Sequence, residues 1–224
     1  LDKEIDILKK MGINFIFNKE FGKDFDIKTL RKDNYKAIFI GIGAQSGNYM
    51  KIEGENLKNI ILAVDFLRNI QLDKIFLNNF YFDNVVIIGG GNTAIDSART
   101  AIRLGAKNVK ILYRRTREEM PANDLEIEEA LEEGIELITL VNPIKFIGDE
   151  KVEKIELIKM QLGEPDSSGR RRPIPIEGSN FIIEADYVIE AISQKIDQSS
   201  LKDFDLNSDG TIIIEKNSFK TNIE

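Results

Sequence analysis

The chain contains no cysteine and no histidine. Without cysteine there is no disulfide, no thiolate metal site, no iron–sulfur ligand and no CxxC redox pair. Without histidine there is no imidazole base, acid or metal ligand, and Ser–His and Cys–His nucleophile systems are excluded. No metal site is expected. Long hydrophobic runs are missing too: none approaches the roughly 18–20 residues needed to cross a bilayer. Positive charge is in deficit, with 31 Lys and Arg against 38 Asp and Glu for a net charge of −7. Nothing implies a basic face, so neither nucleic acid nor a membrane is an expected partner. The opening Leu1-Asp2-Lys3-Glu4 has the character of neither a signal nor a transit peptide. It reads as a segment cut from a longer protein, and the cytoplasm is the expected compartment.

What remains is ordinary for a globular protein. The 224 residues are 42% hydrophobic and 31% charged, enough for one large domain or two modest ones with a real core. Residues 1–11 place Leu1, Ile5 and Leu8 on one helical face, with Gly12 as the residue that ends it. Ile13, Phe15 and Phe17 alternate as in a strand, and Lys36 to Ile42 reads as a strand buried on both faces. Residues 44–59 read as loop, Ile60 to Leu62 as a short strand, and Ala63 to Asn69 as a helix. Residues 71–82 read as a crossover between two folding units.

The next stretch is clearer. Val85 to Ile88 is a buried-type strand, Gly89-Gly90-Gly91 a turn, and the helix that follows puts Ala94, Ile95, Ala98, Ala101 and Ile102 on one face. Gly105 closes it. Val109 to Tyr113 is a second strand. Asn123 to Leu131 reads as a helix, with Asn123 and Glu126 spaced as a capping box. Ile135 to Val141 is a third strand, stopped by Asn142-Pro143. Ile144 to Ile147 and Val152 to Gln161 flank Gly148-Asp149-Glu150 as a hairpin. Residues 163–180 read as a polar loop, and Tyr187 to Ile192 as a returning buried strand. The order βαβαβ, then an antiparallel meander, then a returning strand predicts an α/β, Rossmann-like nucleotide-binding domain with an antiparallel insertion.

Gly89-x-Gly91-x-x-Ala94 carries the chemistry. It follows an apolar strand, opens an amphipathic helix and has a second strand at the expected distance, which is the context a dinucleotide fingerprint requires. Gly89 permits the tight turn. Gly91 lets the backbone approach a pyrophosphate, and Ala94 lets the helix pack close to the sheet. Gly90, Asn92 and Thr93 complete the cradle, with the N–H groups and positive dipole of the helix start facing the phosphates. At the end of the second strand an NAD site usually carries an acid, about 20 residues past the motif, for the ribose 2′-hydroxyl. Here stand Arg114 and Arg115, which suit a 2′-phosphate and predict NADPH over NADH. Arg117 is a nearby substitute. Arg170-Arg171-Arg172 reads first as a solvated loop, with a phosphate or an acidic partner as the alternative. The acidic run from Glu126 to Glu133 reads as a solvated helix face.

At this point the residues resemble a known family. VVIIGGGNTAIDSARTAIRLGA (85–106), YRRTREEMPA (113–122) and EEGIELITLVNPIKFIGD (132–149) are similar to the small (β) subunit of NADPH-dependent glutamate synthase. Related flavoproteins include ferredoxin–NADP oxidoreductase and the flavin half of dihydropyrimidine dehydrogenase. LGEPDSSGRRRPIPIEGS (162–179), ADYVIEAISQ (185–194), FIGIGAQ (39–45) and EGENL (53–57) continue the likeness. The resemblance implies an NADPH-binding domain inserted into an FAD-binding domain: residues 1–80 as a partial FAD domain, 81–196 as the NADPH domain and 197–224 as the return segment. It implies that Gly89 to Ala94 hold the pyrophosphate and that Arg114 with Arg115 hold the 2′-phosphate. It places Ile192, Ser193 and Gln194 near the nicotinamide, and Gly43 and Ala44 near FAD.

The implied activity is hydride transfer from NADPH to FAD, with electrons passing through iron–sulfur clusters to a large glutamate synthase-type subunit or another acceptor subunit. No residue of this chain is expected to act as a catalytic acid or base. The family's cysteine-rich cluster region and first flavin fingerprint have no counterpart here, and Ser193 and Ile196 stand where Gly and Pro are usual. The fragment is therefore expected to be inactive alone. The alternatives are a non-catalytic dinucleotide-binding or docking module, or the same fold in one of the related flavoproteins.

Overall fold

A computed structural model describes residues 2–72, 80–166 and 169–223. The chain divides into two compact units, one of residues 1–43 with 196–224 and one of residues 44–195.

The larger unit is built on a five-stranded parallel sheet. Its strands, in the numbering used from here on, are β2 (Ile60–Leu62), β3 (Asn84–Ile88), β4 (Asn108–Tyr113), β5 (Glu136–Thr139) and β10 (Tyr187–Glu190). Their spatial order is β2-β10-β3-β4-β5, every pair parallel. β3 and β10 are buried along most or all of their length, as the continuous Val/Ile runs require when both faces are covered.

One face is covered by α3 (Ala63–Leu72), α4 (Asn92–Arg103) and α5 (Asp124–Glu132). There Phe66, Ile95, Ala98, Ala101 and Ile127 pack on Val85, Ile87, Ile111 and Ile189. Phe66 also stacks in a tilted cluster with Phe80 and Tyr187, at centroid distances of 5.5 and 6.4 Å. α4 and α5 are joined on their solvent side by Arg99, which pairs with Glu129 and Glu133 at 2.7 Å. Part of the acidic run is therefore engaged by a neighbouring helix rather than simply solvated.

The opposite face carries an antiparallel layer: β6 (Val141–Ile147), β7 (Lys154–Pro165), β8 (Arg171–Pro175) and β9 (Phe181–Glu184), with β7 pairing all three others. Phe146, Val152, Ile155 and Leu157 of this layer pack on Val86, Ile88, Leu112 and Val188. A two-residue ladder, β1 (Ser46–Gly47) against β11 (Gln194–Lys195), joins the segment before β2 to the segment after β10.

Several expectations need correction. The expected third strand is two strands: Leu140, at φ +57°, breaks it, and Val141 opens β6 in the other sheet. Asn142-Pro143 does not stop β6, because the register shifts between Pro143 and Lys145 and this bulge accommodates a residue with no N–H to donate. The stretch 163–180 contains β8, paired with β7, and is not all loop. β9 was not anticipated. Asn123 caps α5 through the Leu125 N–H at 2.9 Å, not through the third N–H that a capping box uses. The larger unit is also wider than the expected 81–196, because β2 hydrogen-bonds to β10 and α3 shares the core of α4.

The smaller unit holds α1 (Asp2–Lys10) and α2 (Ile27–Lys32), the latter capped by Asp26 on the Thr29 N–H at 2.7 Å. The strands expected over 13–17 and 36–42 do not form. A strand needs a ladder partner, and among the described residues neither segment has one. Phe17 and Phe39 stand 70% and 94% exposed. Most of the crossover expected at 71–82 lies outside the described residues.

The packing predicts a sharp contrast. Phe66→Ala removes a ring with no solvent exposure and should cost about 3–5 kcal/mol. Ile182→Ala, at a 56% exposed position of β9, should cost less than about 0.5 kcal/mol. Denaturant unfolding of the two variants, followed by far-UV circular dichroism, checks both.

Candidate functional site

β3 is the point where the sheet's order turns: the chain runs outward from it through β4 to β5, while β10 returns on its other side. Open α/β sheets form a crevice at such a point, beyond the carboxyl ends of the strands. A cavity of about 760 Å³ lies there, lined by the glycine turn, the ends of β3, β4 and β10, and the segments around Met50 and Asn142.

The glycines are imposed by their neighbours. Gly89 adopts φ +147°, and a Cβ there would run into the Ala191 carbonyl that follows β10. A Cβ on Gly90 would come within 2.6 Å of the Tyr113 ring, which is fixed by its hydroxyl donating to the Glu119 carbonyl at 2.7 Å. Gly91 differs: only Pro121 Cγ, at 3.9 Å, lies near its absent Cβ, so its outer face opens into the cavity. Gly91 is also the N-cap of α4 and brings no side chain to cap it. The first N–H groups of a helix have no intrahelical acceptor, so this turn and helix start suit an anion.

Of the remaining residues anticipated at the turn, Thr93 lines the cavity. Ala94 is fully buried against the sheet. The Asn92 side chain faces away from this task, accepting the Asn123 N–H at 3.0 Å and so positioning the start of α5. Ile192, Ser193 and Gln194 line the cavity too. Ser193 is tied to Asn48, whose side-chain amide donates to its hydroxyl at 2.7 Å, and Gln194 reaches Thr93 Oγ1 at 3.4 Å. Gly43 belongs to the smaller unit, where it lines a separate cavity of about 200 Å³ with Ile40, Ile42, Leu201 and Ile212. Ala44 lines neither cavity.

The arginines divide by environment. Arg114 is exposed and lines the cavity. Arg115 lines it too but is only 3% exposed: its Nε donates to the Arg171 carbonyl at 2.7 Å and its terminal nitrogen pairs with Asp166 at 2.6 Å. Arg171 binds the Glu119 carboxylate. Burial opposes ionisation of Glu119, but Thr116 and Arg171 hold its carboxyl below the usual range. Arg115 and Arg171 thus pin the β7–β8 hairpin to the end of β4. That hairpin carries Arg170 to the cavity wall near Arg114. Arg170, read first from sequence as a solvated loop residue, joins the site because of a tertiary contact that local sequence does not encode.

Glu190 was not anticipated. It ends β10, lines the cavity and is 2% exposed, and neither carboxyl oxygen has a hydrogen-bond partner. Burial, reinforced by the neighbouring Glu55 carboxylate, pushes its pKa up to about 8. Among the described residues it is the only acid lining the cavity, and at neutral pH it is thus largely uncharged. The signal available in the sequence was an acid inside a strand otherwise fit for burial on both faces. Among the described residues no cluster of ligating side chains suited to a metal occurs, and no helix is long and apolar enough to cross a membrane.

Comparison with known proteins places the chain in context. The family model described as pyridine nucleotide-disulphide oxidoreductase matches residues 2–224. A curated relative, NADPH-Fe(3+) oxidoreductase subunit beta of Geobacter sulfurreducens, is 41% identical over 208 residues, covering 91% of this chain and 30% of that protein. The glutamate synthase [NADPH] small chain of Azospirillum brasilense is 33% identical over 242 residues, covering 100% of this chain and 49% of that protein. The chain thus spans from under a third to about half the length of these relatives. Among solved structures, Mycobacterium tuberculosis FprA in complex with NADPH matches with a TM-score of 0.76 at 20% identity, over 92% of this chain and 60% of that one.

Two stability effects should follow from the site. Arg115→Ala leaves Asp166 without its buried partner and should cost about 3 kcal/mol, the low end for such a pair because Asp166 is partly exposed. Denaturant unfolding checks this. The Glu190 carboxyl binds its proton more tightly in the fold, at about 8, than its usual 4.5. Between those values the folded state holds more protons than the unfolded one, so this contribution to stability falls as pH rises and levels off above about pH 8. Glu190→Gln should flatten that decline, read as the melting temperature against pH.

Proposed function

The chain belongs to the pyridine nucleotide-disulphide oxidoreductase family, and from that premise we propose that it is the NADPH-binding portion of a flavin oxidoreductase of the glutamate synthase small-subunit type. The observation that carries this reading is the cavity itself. It pairs an open glycine turn at a helix start with two arginines at the end of β4 and on the hairpin beside it, and holds no acid where an NAD site would carry one. The names of the relatives agree, NADPH appearing in both curated proteins and in the FprA complex.

The residues fit the dinucleotide in parts. The turn at Gly89 to Gly91 and the start of α4 receive the pyrophosphate through backbone N–H groups. Arg114 and Arg170 take the 2′-phosphate, while Arg115 buttresses the hairpin that carries Arg170 and adds its charge to the field. Ile192, Ser193 and Gln194 border the nicotinamide half, with Ser193 and Gln194 held in place by Asn48 and Thr93. When bound, NADPH supplies a hydride from its nicotinamide C4. This chain's part is to orient that ring and to exclude competing geometries, which needs no acid or base. A protein with neither histidine nor cysteine suits that task.

FAD is assigned to the unit formed by residues 1–43 and 196–224. Electrons leave by iron–sulfur clusters to a partner subunit, of the large glutamate synthase type or another acceptor.

Calorimetric titration of the chain with NADPH and NADH tests the reading. NADPH should bind more tightly. Arg114→Ala and Arg170→Ala should each weaken NADPH by about 10- to 100-fold, the loss of one charge-assisted contact, while leaving NADH nearly unchanged. Equal affinity for the two cofactors in the unaltered chain would remove the 2′-phosphate argument.

A further inference from the structure

The Glu190 carboxyl has no use in the binding scheme above, yet its surroundings are specific. It lies beside the Glu55 carboxylate, which raises its pKa through charge and a side-chain hydrogen-bonding contact, and the Met50 backbone N–H, which lowers it; neither contact reaches full hydrogen-bond geometry. Glu55 in turn accepts the Lys51 backbone N–H at 2.8 Å. Lys51 has φ +62°, a left-handed conformation that a side chain other than glycine rarely takes. Its two neighbours, Met50 and Ile52, both line the cavity. Glu55 therefore holds the strained turn that presents one wall of the site, and Glu190 sits against Glu55 from the strand side.

The charge that acts on Glu190 itself is negative. Tyr49 has its phenol pushed up, by burial first and then by Asp65, Glu190 and Glu55. Asp65 is paired with Arg68 at 2.8 Å, so that arginine is already engaged. Lys51 is exposed, and Glu53 pairs with Lys145 at 2.8 Å. The flanking strands β2 and β3 bring no charge. A second buried carboxylate beside Glu55 would have no cation among the groups that act on it. It would repel Glu55 and the phosphates of a dinucleotide alike.

We propose that Glu190 is a positioning residue of the dinucleotide cavity that acts as a neutral acid: uncharged, it leaves Glu55 on the Lys51 N–H and the Met50–Ile52 wall in place, and ionised it drives Glu55 off and weakens binding. The proposal rests on the dinucleotide reading above. It makes cofactor affinity depend on a proton in a cavity that has no histidine.

The test is calorimetry of NADPH binding to the chain from about pH 7 to about pH 9, above the titration of the 2′-phosphate and below that of Tyr49. Affinity should fall about tenfold across this window if only the protonated form binds well. Glu190→Gln keeps the shape without the proton and should flatten the profile. Glu55→Gln should make it shallower, because it removes the carboxylate that Glu190 opposes and leaves only the repulsion of the phosphates, and it carries the test if the first variant does not fold. A profile as steep in both variants as in the unaltered chain overturns the proposal. 2′,5′-ADP, titrated at about pH 7, reports the phosphate grip alone. If it fails to bind, the dinucleotide reading falls; if it binds while the variants keep the steep NADPH profile, only the role of Glu190 falls.

Discussion

The close approach of β3 and β10 at their carboxyl ends constrains the rest of the larger unit. The Ala191 carbonyl occupies the space where a Cβ on Gly89 would stand, and the Tyr113 ring does the same at Gly90. With both positions closed to side chains, the chain must turn tightly out of β3 and enter α4 with Gly91 facing open space. The anion-binding character of the turn is thus a product of packing. The sheet forces the backbone into a bend, and the bend aims the helix start at the cavity. The same approach brings Glu190 to the rim, because it is the last residue of β10 before that carbonyl.

Around this point the arginines divide by what their side chains bind. Arg115 and Arg171 are engaged by protein carboxylates and a carbonyl, and their effect is to fasten one hairpin. Arg114 and Arg170 line the cavity. Four arginines of the same charge thus divide into two that fasten the hairpin and two known here by the cavity they line. The division depends on which carboxylates, Asp166 and Glu119, the fold brings alongside. Arg115, the buried one of the four, needs such a partner most.

Glu190 is the counterweight to this positive end. A carboxylate buried without partners is costly, and the cost is relieved by holding a proton. An acid wall at a site for a polyanion is then compatible with binding near neutral pH. The neighbouring Glu55 already bears the charge that holds Lys51 in its strained turn, and two charges at that spot would work against each other.

The sequence by itself determined the α/β class of the core, the strand–turn–helix unit around β3 and the glycine turn. Those features are local: continuous Val/Ile runs, a helical apolar stripe and a strand–turn–helix spacing are all written in consecutive residues. It misplaced what depends on partners distant in the chain. Residues 13–17 and 36–42 have the apolar content of strands, but a ladder needs a second strand, and none among the described residues lies beside them. β8 hides in a polar stretch because an outer antiparallel strand has one wet face, so β7, not its own composition, makes it a strand. Only the tertiary structure decided that Arg170 reaches the cavity, that Arg115 is held by Asp166 and that Glu190 is buried beside Glu55. Each of these follows from long-range packing, which sets the burial and the neighbouring charge of a side chain, and those two quantities decide whether an ionisable group binds a ligand, a protein partner or a proton.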